Sequence, residues 1–126
     1  MKGIILVSLV LLLMLVATIC GVWYIEDSAQ NIITDLNRLN TNISAKNWQQ
    51  AELLFQQAEA SWQQIQPIWQ VMIDHEDMRD IEIAFVDLSV ALEQKDVTEA
   101  QRELAELKFF IKHVPETERI VAQNVF

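Results

Sequence analysis

The chain has 126 residues, of which 18 are acidic and nine are basic, and its formal net charge is −9 at pH 7. Nucleic acid and anionic lipid headgroups repel such a chain, which excludes a nucleic-acid-binding function. Its one cysteine excludes an intrachain disulfide, and its two glycines, at positions 3 and 21, leave no glycine-rich loop to hold a phosphate. Helical, membrane-bound and protein-binding classes stay open.

The first predicted element is an uncharged run over residues 4–25. A helix of this length extends about 33 Å, enough to cross the ~30 Å hydrocarbon core of a bilayer. A cleaved signal peptide has a shorter apolar core and a small-x-small site, whereas Ala17-Thr18-Ile19 places a branched residue where a small one is needed. Lipidation of Cys20 is disfavoured because Ile19 directly precedes it. We therefore predict an uncleaved signal anchor, with cleavage as the main alternative.

The charges beside this run predict its orientation in a membrane. Lys2 lies before the run and acidic residues directly follow it, so the positive-inside rule predicts a cytoplasmic N-terminus. Trp23 and Tyr24 fit the aromatic belt at the outer membrane interface. We predict a single-pass protein of the cell membrane with two parts, a transmembrane signal anchor over residues 1–25 and an extracytoplasmic domain over residues 26–126.

Beyond the anchor, apolar residues recur at alternating three- and four-residue steps, which is typical of helices that pack through an a/d seam. Four such series follow one another, and the first continues without a phase break from Val22 through Ile25 to Ala29. No alternation of polar and apolar residues predicts a strand. The residues predicted to form the bundle core are Leu36, Leu39, Ile43, Trp48, Phe55, Trp62, Ile65, Ile81, Phe85, Leu88, Leu104, Leu107 and Ile111.

Short polar breaks between the series predict tight connections and antiparallel neighbours. Asn47 and Asp96 are favourable helix-capping residues at two of these breaks. Pro67 lies within the second series without a phase break, so we expect a kinked but continuous helix, whereas Pro115 predicts the first turn of a short closing helix. The predicted fold is all-α: an N-terminal transmembrane helix continues into an up-down antiparallel four-helix bundle with a short C-terminal helix.

The two predicted hairpins resemble each other at an offset of 49 residues. The segment Lys46-Asn47-Trp48-x-x-Ala51 aligns with Lys95-Asp96-Val97-x-x-Ala100, and the apolar positions before each turn align as well. A duplicated hairpin and a shared packing geometry explain this offset equally well.

Counting residues along antiparallel helices brings the end of the second helix beside the outer end of the anchor. We therefore predict a membrane-interface set that consists of Trp23, Tyr24, Trp69 and Met72. The tryptophans of the second helix share one face, which more often forms core than a ligand groove. The opposite face is uncharged and predicts a surface on which a second protein can dock; it carries Gln49, Gln50, Gln56, Gln57, Gln63 and Gln64.

The candidate centre for chemistry surrounds His75. Asp74 and Asp77 flank it, and His113, late in the fourth series, is expected within about a turn of it in the bundle. These four residues are candidates for a cation site, although a solvated helix start explains the acidic residues as well. No zinc-protease histidine pair and no nucleophile with a plausible base occur outside the apolar run. We predict no catalytic site, no metal site and no cofactor.

Several features resemble one known family. They are the lone N-terminal span, Asn47-Trp48-x-x-Ala51, Trp62, the Ile73-Asp74-His75 corner and the closing Asn124-Val125-Phe126. Together they resemble a family of short single-span membrane-anchored helical proteins of spore-forming Gram-positive bacteria, catalogued as a domain of unknown function. The resemblance implies a cell-envelope location and a multi-span membrane protein as partner, and it implies no catalytic residue.

These patterns favour a membrane-anchored extracytoplasmic module without catalytic activity that binds or stabilises a protein of the cell envelope. The expected partners are the lipid bilayer and a membrane or envelope protein, nucleic acid is not expected, and a homo-oligomer stays open. The alternative is a ligand or cation sensor of the four-helix type. A sensor would act through a second membrane subunit, because three cytoplasmic residues cannot signal alone.

Overall fold

The computed structural model describes the backbone of residues 1–125 and the side chains of residues 1–114. Four helices make up this part of the chain: α1 (Lys2–Ser44), α2 (Trp48–Met72), α3 (His75–Glu93) and α4 (Val97–Val125). The all-α prediction is confirmed, and α2 is continuous through Pro67 as expected. The closing Asn124-Val125-Phe126 and all other side chains after residue 114 lie outside the described side chains.

The prediction of a separate short closing helix is wrong. The helix α4 is continuous from Val97 to Val125 and passes through position 115 without a break. A proline removes only one backbone hydrogen bond, and the residues that follow it include several good helix formers.

The helices pack side by side through their a/d seams. α1 packs against α2 and α4, and α3 packs against α4, whereas the packing of α2 on α3 is less extensive. Among the residues predicted for the core, Trp48 and Ile65 are half-buried against it. The others are buried, namely Leu36, Leu39, Ile43, Phe55, Trp62, Ile81, Phe85, Leu88, Leu104, Leu107 and Ile111.

The turn between α1 and α2 and the turn between α3 and α4 have the same backbone structure. Lys46 and Lys95 both adopt a left-handed conformation, with φ of 58° and 53°. After α1 the Asn47 N–H donates to the Asn42 carbonyl at 2.9 Å, and after α3 the Asp96 N–H donates to the Ala91 carbonyl at 3.4 Å. Both patterns are those of a Schellman motif, which satisfies the last carbonyls of a helix. The 49-residue offset therefore extends from sequence to backbone hydrogen bonds.

The capping residues at these turns differ in their hydrogen bonds. Asp96 Oδ1 accepts a hydrogen bond from the Glu99 N–H at 3.1 Å, as expected for an N-cap. Asn47 occupies the N-cap position of α2, but its side chain makes no capping hydrogen bond.

Packing of the bundle begins inside the predicted anchor. Ile25 is fully buried, and Met72, in the last turn of α2, places its Cε where a Cβ on Gly21 would lie. The absence of a side chain at position 21 thus lets the end of α2 approach α1. Since burial of one such apolar side chain contributes about 1.5–3 kcal/mol, these residues belong energetically to the bundle.

Glu103 breaks the apolar pattern in the seam between α3 and α4. It stands 49 residues after the buried Leu54, is only 8 % exposed, and its Oε2 has no hydrogen-bond partner. Burial raises the pKa of the Glu103 carboxyl above its usual range, and the hydrogen bond with the Glu99 side chain raises it further. Two nearby carboxylates raise the pKa as well and one guanidinium lowers it: Glu106, Asp87 and Arg102.

We predict that Glu103→Gln stabilises the protein at neutral pH. Because the folded-state pKa of Glu103 is raised, its contribution to stability is fully present below the pKa of the unfolded chain and is lost as pH rises through the folded-state pKa. Removal of the buried charge should recover about 1 kcal/mol, at the lower end of the cost of an unsatisfied buried polar group. The measurement is the melting temperature of the full chain in detergent micelles between pH 4 and pH 8 (roughly the range set by the carboxyl reference values).

The control for this prediction is Glu52→Gln, which removes an exposed carboxylate of α2 that is not among the groups that shift the pKa of Glu103. A gain of stability at pH 7 that is equal in the two variants would contradict a specific cost at Glu103.

We also predict that Gly21→Leu lowers the melting temperature of the full chain in micelles. The leucine side chain would collide with Met72, and overpacking of this kind costs about 1–3 kcal/mol. Gly21→Ala should cost less, because the end of the methionine side chain can move aside.

Gly3→Leu is the matched control for the change at Gly21, since among the described residues no neighbouring atom lies within 4 Å of a Cβ at Gly3. Both variants replace a helical glycine by the same residue, so equal melting temperatures would rule out the contact with Met72.

Candidate functional site

The lower half of α1 is an isolated apolar rod. Every residue from position 1 to position 20 is exposed except Leu15, which is half-buried. Within the described residues, α1 is the one helix that is long and apolar enough to cross a membrane, and its apolar window has no buried residue. The rod is therefore largely bare, and the continuation of α1 above Gly21 is part of the core.

The residues predicted for the membrane interface divide into two groups. Trp23 is 69 % exposed and Tyr24 is partly exposed, so both side chains are available at the surface. Trp69 is fully buried, its ring stands edge-on to Trp62 at 5.4 Å between centroids, and its Nε1 has no hydrogen-bond partner. The Trp69 side chain therefore belongs to the core, as its a/d position predicts, and its place at the level of the membrane interface stays a prediction. Met72 is half-buried against α1.

Two exposed apolar residues of α2 were not predicted at this end of the bundle. Val71 is 86 % exposed, and Ile68 is exposed one turn before it. Both lie outside the a/d series, in the same turns as Trp69 and Met72. In the sequence they can be recognised as two apolar residues, three positions apart, that do not belong to the a/d series of α2.

The cation candidates are only partly brought together. A pocket of about 210 Å³ is lined by Asp77, Asp80, Phe109, Phe110 and His113, and the His113 ring stacks on Phe109 at 5.8 Å between centroids. Asp74 and His75 are exposed and do not line this pocket.

No metal site follows from these residues. Among the side chains described, no group of three or more His, Cys, Asp or Glu residues could hold a metal ion. His113 shares this pocket with Asp77 and Asp80, which are one turn apart on the same face of α3, and its proximity to His75 stays a prediction.

A second pocket, of about 190 Å³, opens between α2 and α3, and we call it the α2–α3 groove. Trp62 and Phe85 form its apolar floor, where their rings stack at 6.0 Å between centroids and 24° between planes. These bulky rings keep the two helices apart, since interhelical distance depends on the side chains at the contact. The other lining residues are Glu59, Gln63, Gln66, Glu82 and Val86.

An exposed apolar stripe on α3 continues from the α2–α3 groove. Ile83, Val86 and Val90 are all exposed, and they repeat at three- and four-residue steps. Val86 lines the groove and is 61 % exposed. The sequence contained this signal as a second apolar series in α3, offset from the core series, and it adjoins the glutamine-rich face that was predicted for docking.

The rim of the α2–α3 groove is acidic. Gln66 donates a hydrogen bond from Nε2 to the Glu82 carboxylate. Within residues 1–114, the salt bridges that form are those of Arg102 with Glu99 and Glu103, so neither Glu59 nor Glu82 is paired with a cation. The groove therefore has an apolar floor, and the two carboxylates at its edges form no salt bridge within residues 1–114.

Comparison with known proteins gives a family but no activity. No curated protein and no solved structure matches the chain. The family described as "Domain of unknown function (DUF4363)" matches residues 19–125, from the outer end of the apolar rod through α4. This match confirms the resemblance to a domain of unknown function, and the chain belongs to the DUF4363 family.

Proposed function

We propose that this protein is a membrane-anchored extracytoplasmic helical module, without catalytic activity, that binds or stabilises a protein partner in the cell envelope. The observation that carries the proposal is the bare apolar rod of α1, which continues as one helix into the bundle core. An anchor of this kind places the bundle at a defined height and rotation above the bilayer.

The place where α2 packs on α1 supports an upper limit for how far the hydrocarbon core of a membrane extends along α1. Because Met72 packs at Gly21, the turn that carries Asp74 lies near the level of residue 19. A charged side chain at the centre of a membrane helix costs about 2.5–3.5 kcal/mol, so the hydrocarbon ends below this turn. Residues 3–19 then form the span, about 26 Å of helix.

The alternative function is a ligand or cation sensor of the four-helix type that acts through a second membrane subunit. The pocket beside Asp77, Asp80 and His113 favours it. We place it second because the described residues hold no cluster of three metal-ligating side chains. A rise in melting temperature with a metal ion that Asp80→Asn abolishes would favour the sensor over the binding module.

We predict that the bundle lies outside the cell membrane and the N-terminus inside, and labelling of introduced cysteines tests this orientation. In a Cys20→Ala background, Gln94→Cys in the α3–α4 turn should react with a membrane-impermeant maleimide in intact cells, because it is exposed at the far end of the bundle. Gly3→Cys should react only after the membrane is permeabilised. Mass spectrometry of the labelled chain measures both reactions.

The opposite labelling pattern would contradict an outer location of the bundle. A mature chain that lacks the residues of the rod would show that α1 begins with a cleaved signal sequence, which can also form an apolar helix near the N-terminus.

We also predict that the bundle selects a protein partner. After chemical crosslinking and solubilisation in detergent, the tagged full chain should capture at least one envelope protein that a tagged variant without residues 26–126 does not, since the variant keeps the rod and loses the bundle surface. The comparison is made by quantitative mass spectrometry. Identical lists of captured proteins would contradict the proposed function.

A further inference from the structure

We propose that the α2–α3 groove binds an amphipathic helical segment of the partner that inserts one apolar side chain between Trp62 and Val86 and places a lysine or arginine beside Glu82. The proposal rests on the proposed function and specifies the surface and the partner chemistry. It follows from the shape, the exposed apolar area, the charge and the height of the groove.

The shape of the groove suits a single large apolar side chain. Its volume is about 190 Å³, and its floor consists of the stacked rings of Trp62 and Phe85. Both rings are buried members of the core, so the floor is held in place by the bundle itself. A rigid aromatic floor is a common anchor point in protein interfaces, since little conformational entropy is lost when a partner docks on it.

The apolar stripe beside the groove matches the length of a docked helix. Ile83, Val86 and Val90 extend over two turns of α3 and are exposed. An amphipathic helix presents its own apolar residues at three- and four-residue steps, so two such stripes can pack against each other along their length. The stripe is thus covered by the same segment that fills the groove.

The charge of the rim selects a basic segment. Glu59 and Glu82 line the groove without a cationic partner among residues 1–114, and residues 26–126 carry eight basic and 18 acidic side chains. A lysine or arginine at the edge of an apolar segment would complement this charge. A second copy of this chain would instead bring two acidic rims together, and an anionic lipid surface would be repelled.

The height of the groove restricts where the segment lies in the partner. Met72 packs at the level of Gly21. Trp62 precedes Met72 by ten residues in α2, which places it about 15 Å farther from the rod. At this height, a basic amphipathic helix in the extracytoplasmic part of an envelope protein can reach the groove.

The test is site-specific photo-crosslinking in native membranes. A benzophenone side chain replaces Val86 in the full-length protein, and a second protein carries it at Lys112, which is exposed on α4. We expect a crosslink at Val86, and not at Lys112, to an envelope protein whose crosslinked peptide is amphipathic and contains a lysine or arginine.

Charge reversal at the rim provides the matched comparison. In the Val86 probe protein, Glu82→Lys should lower the crosslink yield about fivefold, because it replaces an attraction by a repulsion. Glu106→Lys makes the same charge change at an exposed position of α4 and should leave the yield unchanged. Melting temperatures of both variants establish that the bundle stays folded.

Each other outcome overturns the proposal. A crosslink from Val86 to a second copy of this chain, to lipid, or to a peptide without basic residues assigns the groove to another occupant. An absence of crosslinks at Val86 rejects the groove, and if the full chain still captures a partner through its bundle, the proposed function survives while the groove does not.

Discussion

The backbone of α1 is one continuous helix from Lys2 to Ser44, so the apolar rod and a core helix of the bundle form a single element. Below Gly21 the side chains of this helix are exposed apart from the half-buried Leu15, and from Ile25 upwards they supply a complete seam. All other helices depend on that seam, directly or through a neighbour, because α2 and α4 both pack on α1 and α3 packs on α4. The rod and the first core helix of the bundle are thus two parts of one secondary-structure element.

The α1–α2 hairpin and the α3–α4 hairpin have the same type of turn. They pack on each other more extensively between α1 and α4 than between α2 and α3. Small buried residues lie in both hairpins: Ser28, Ala51, Ala58, Ala84, Ala91 and Ala100. They let α1 approach α2 and α3 approach α4 closely. The junction of α2 with α3 is instead occupied by the rings of Phe55, Trp62 and Phe85. Bulky rings at one seam leave a groove there, and the bundle presents its most open side away from α1.

The sequence predicts the helices and the core well because both follow from one periodic signal. Residues such as Leu36, Leu88 and Leu107 lie on a/d positions, and burial of an a/d face is the dominant driving force in a helical bundle. The prediction of a separate closing helix at Pro115 was wrong. The cost of one proline in a helix is smaller than the combined helix preference of the residues around it.

Surface features are harder to predict than the core. Trp69 and Val71 are two residues apart, and periodicity alone places one inside and the other outside, yet tryptophan is the residue type expected at a membrane interface. The α2–α3 groove depends on how closely two helices approach, which is a property of paired side chains and not of either sequence segment.

The contact between Gly21 and Met72 also has a consequence for the tilt of α1 relative to a bilayer. A helix that is longer than the bilayer is thick can tilt to bury its excess length, whereas a shorter one gains nothing by tilting and instead draws the bilayer thinner around itself. Because the bundle closes onto α1 at Gly21, the free segment is about 26 Å long against a hydrocarbon core of ~30 Å. In a bilayer, hydrophobic mismatch would then disfavour tilting of the rod, and the bundle would stand directly above the point where the rod enters the membrane.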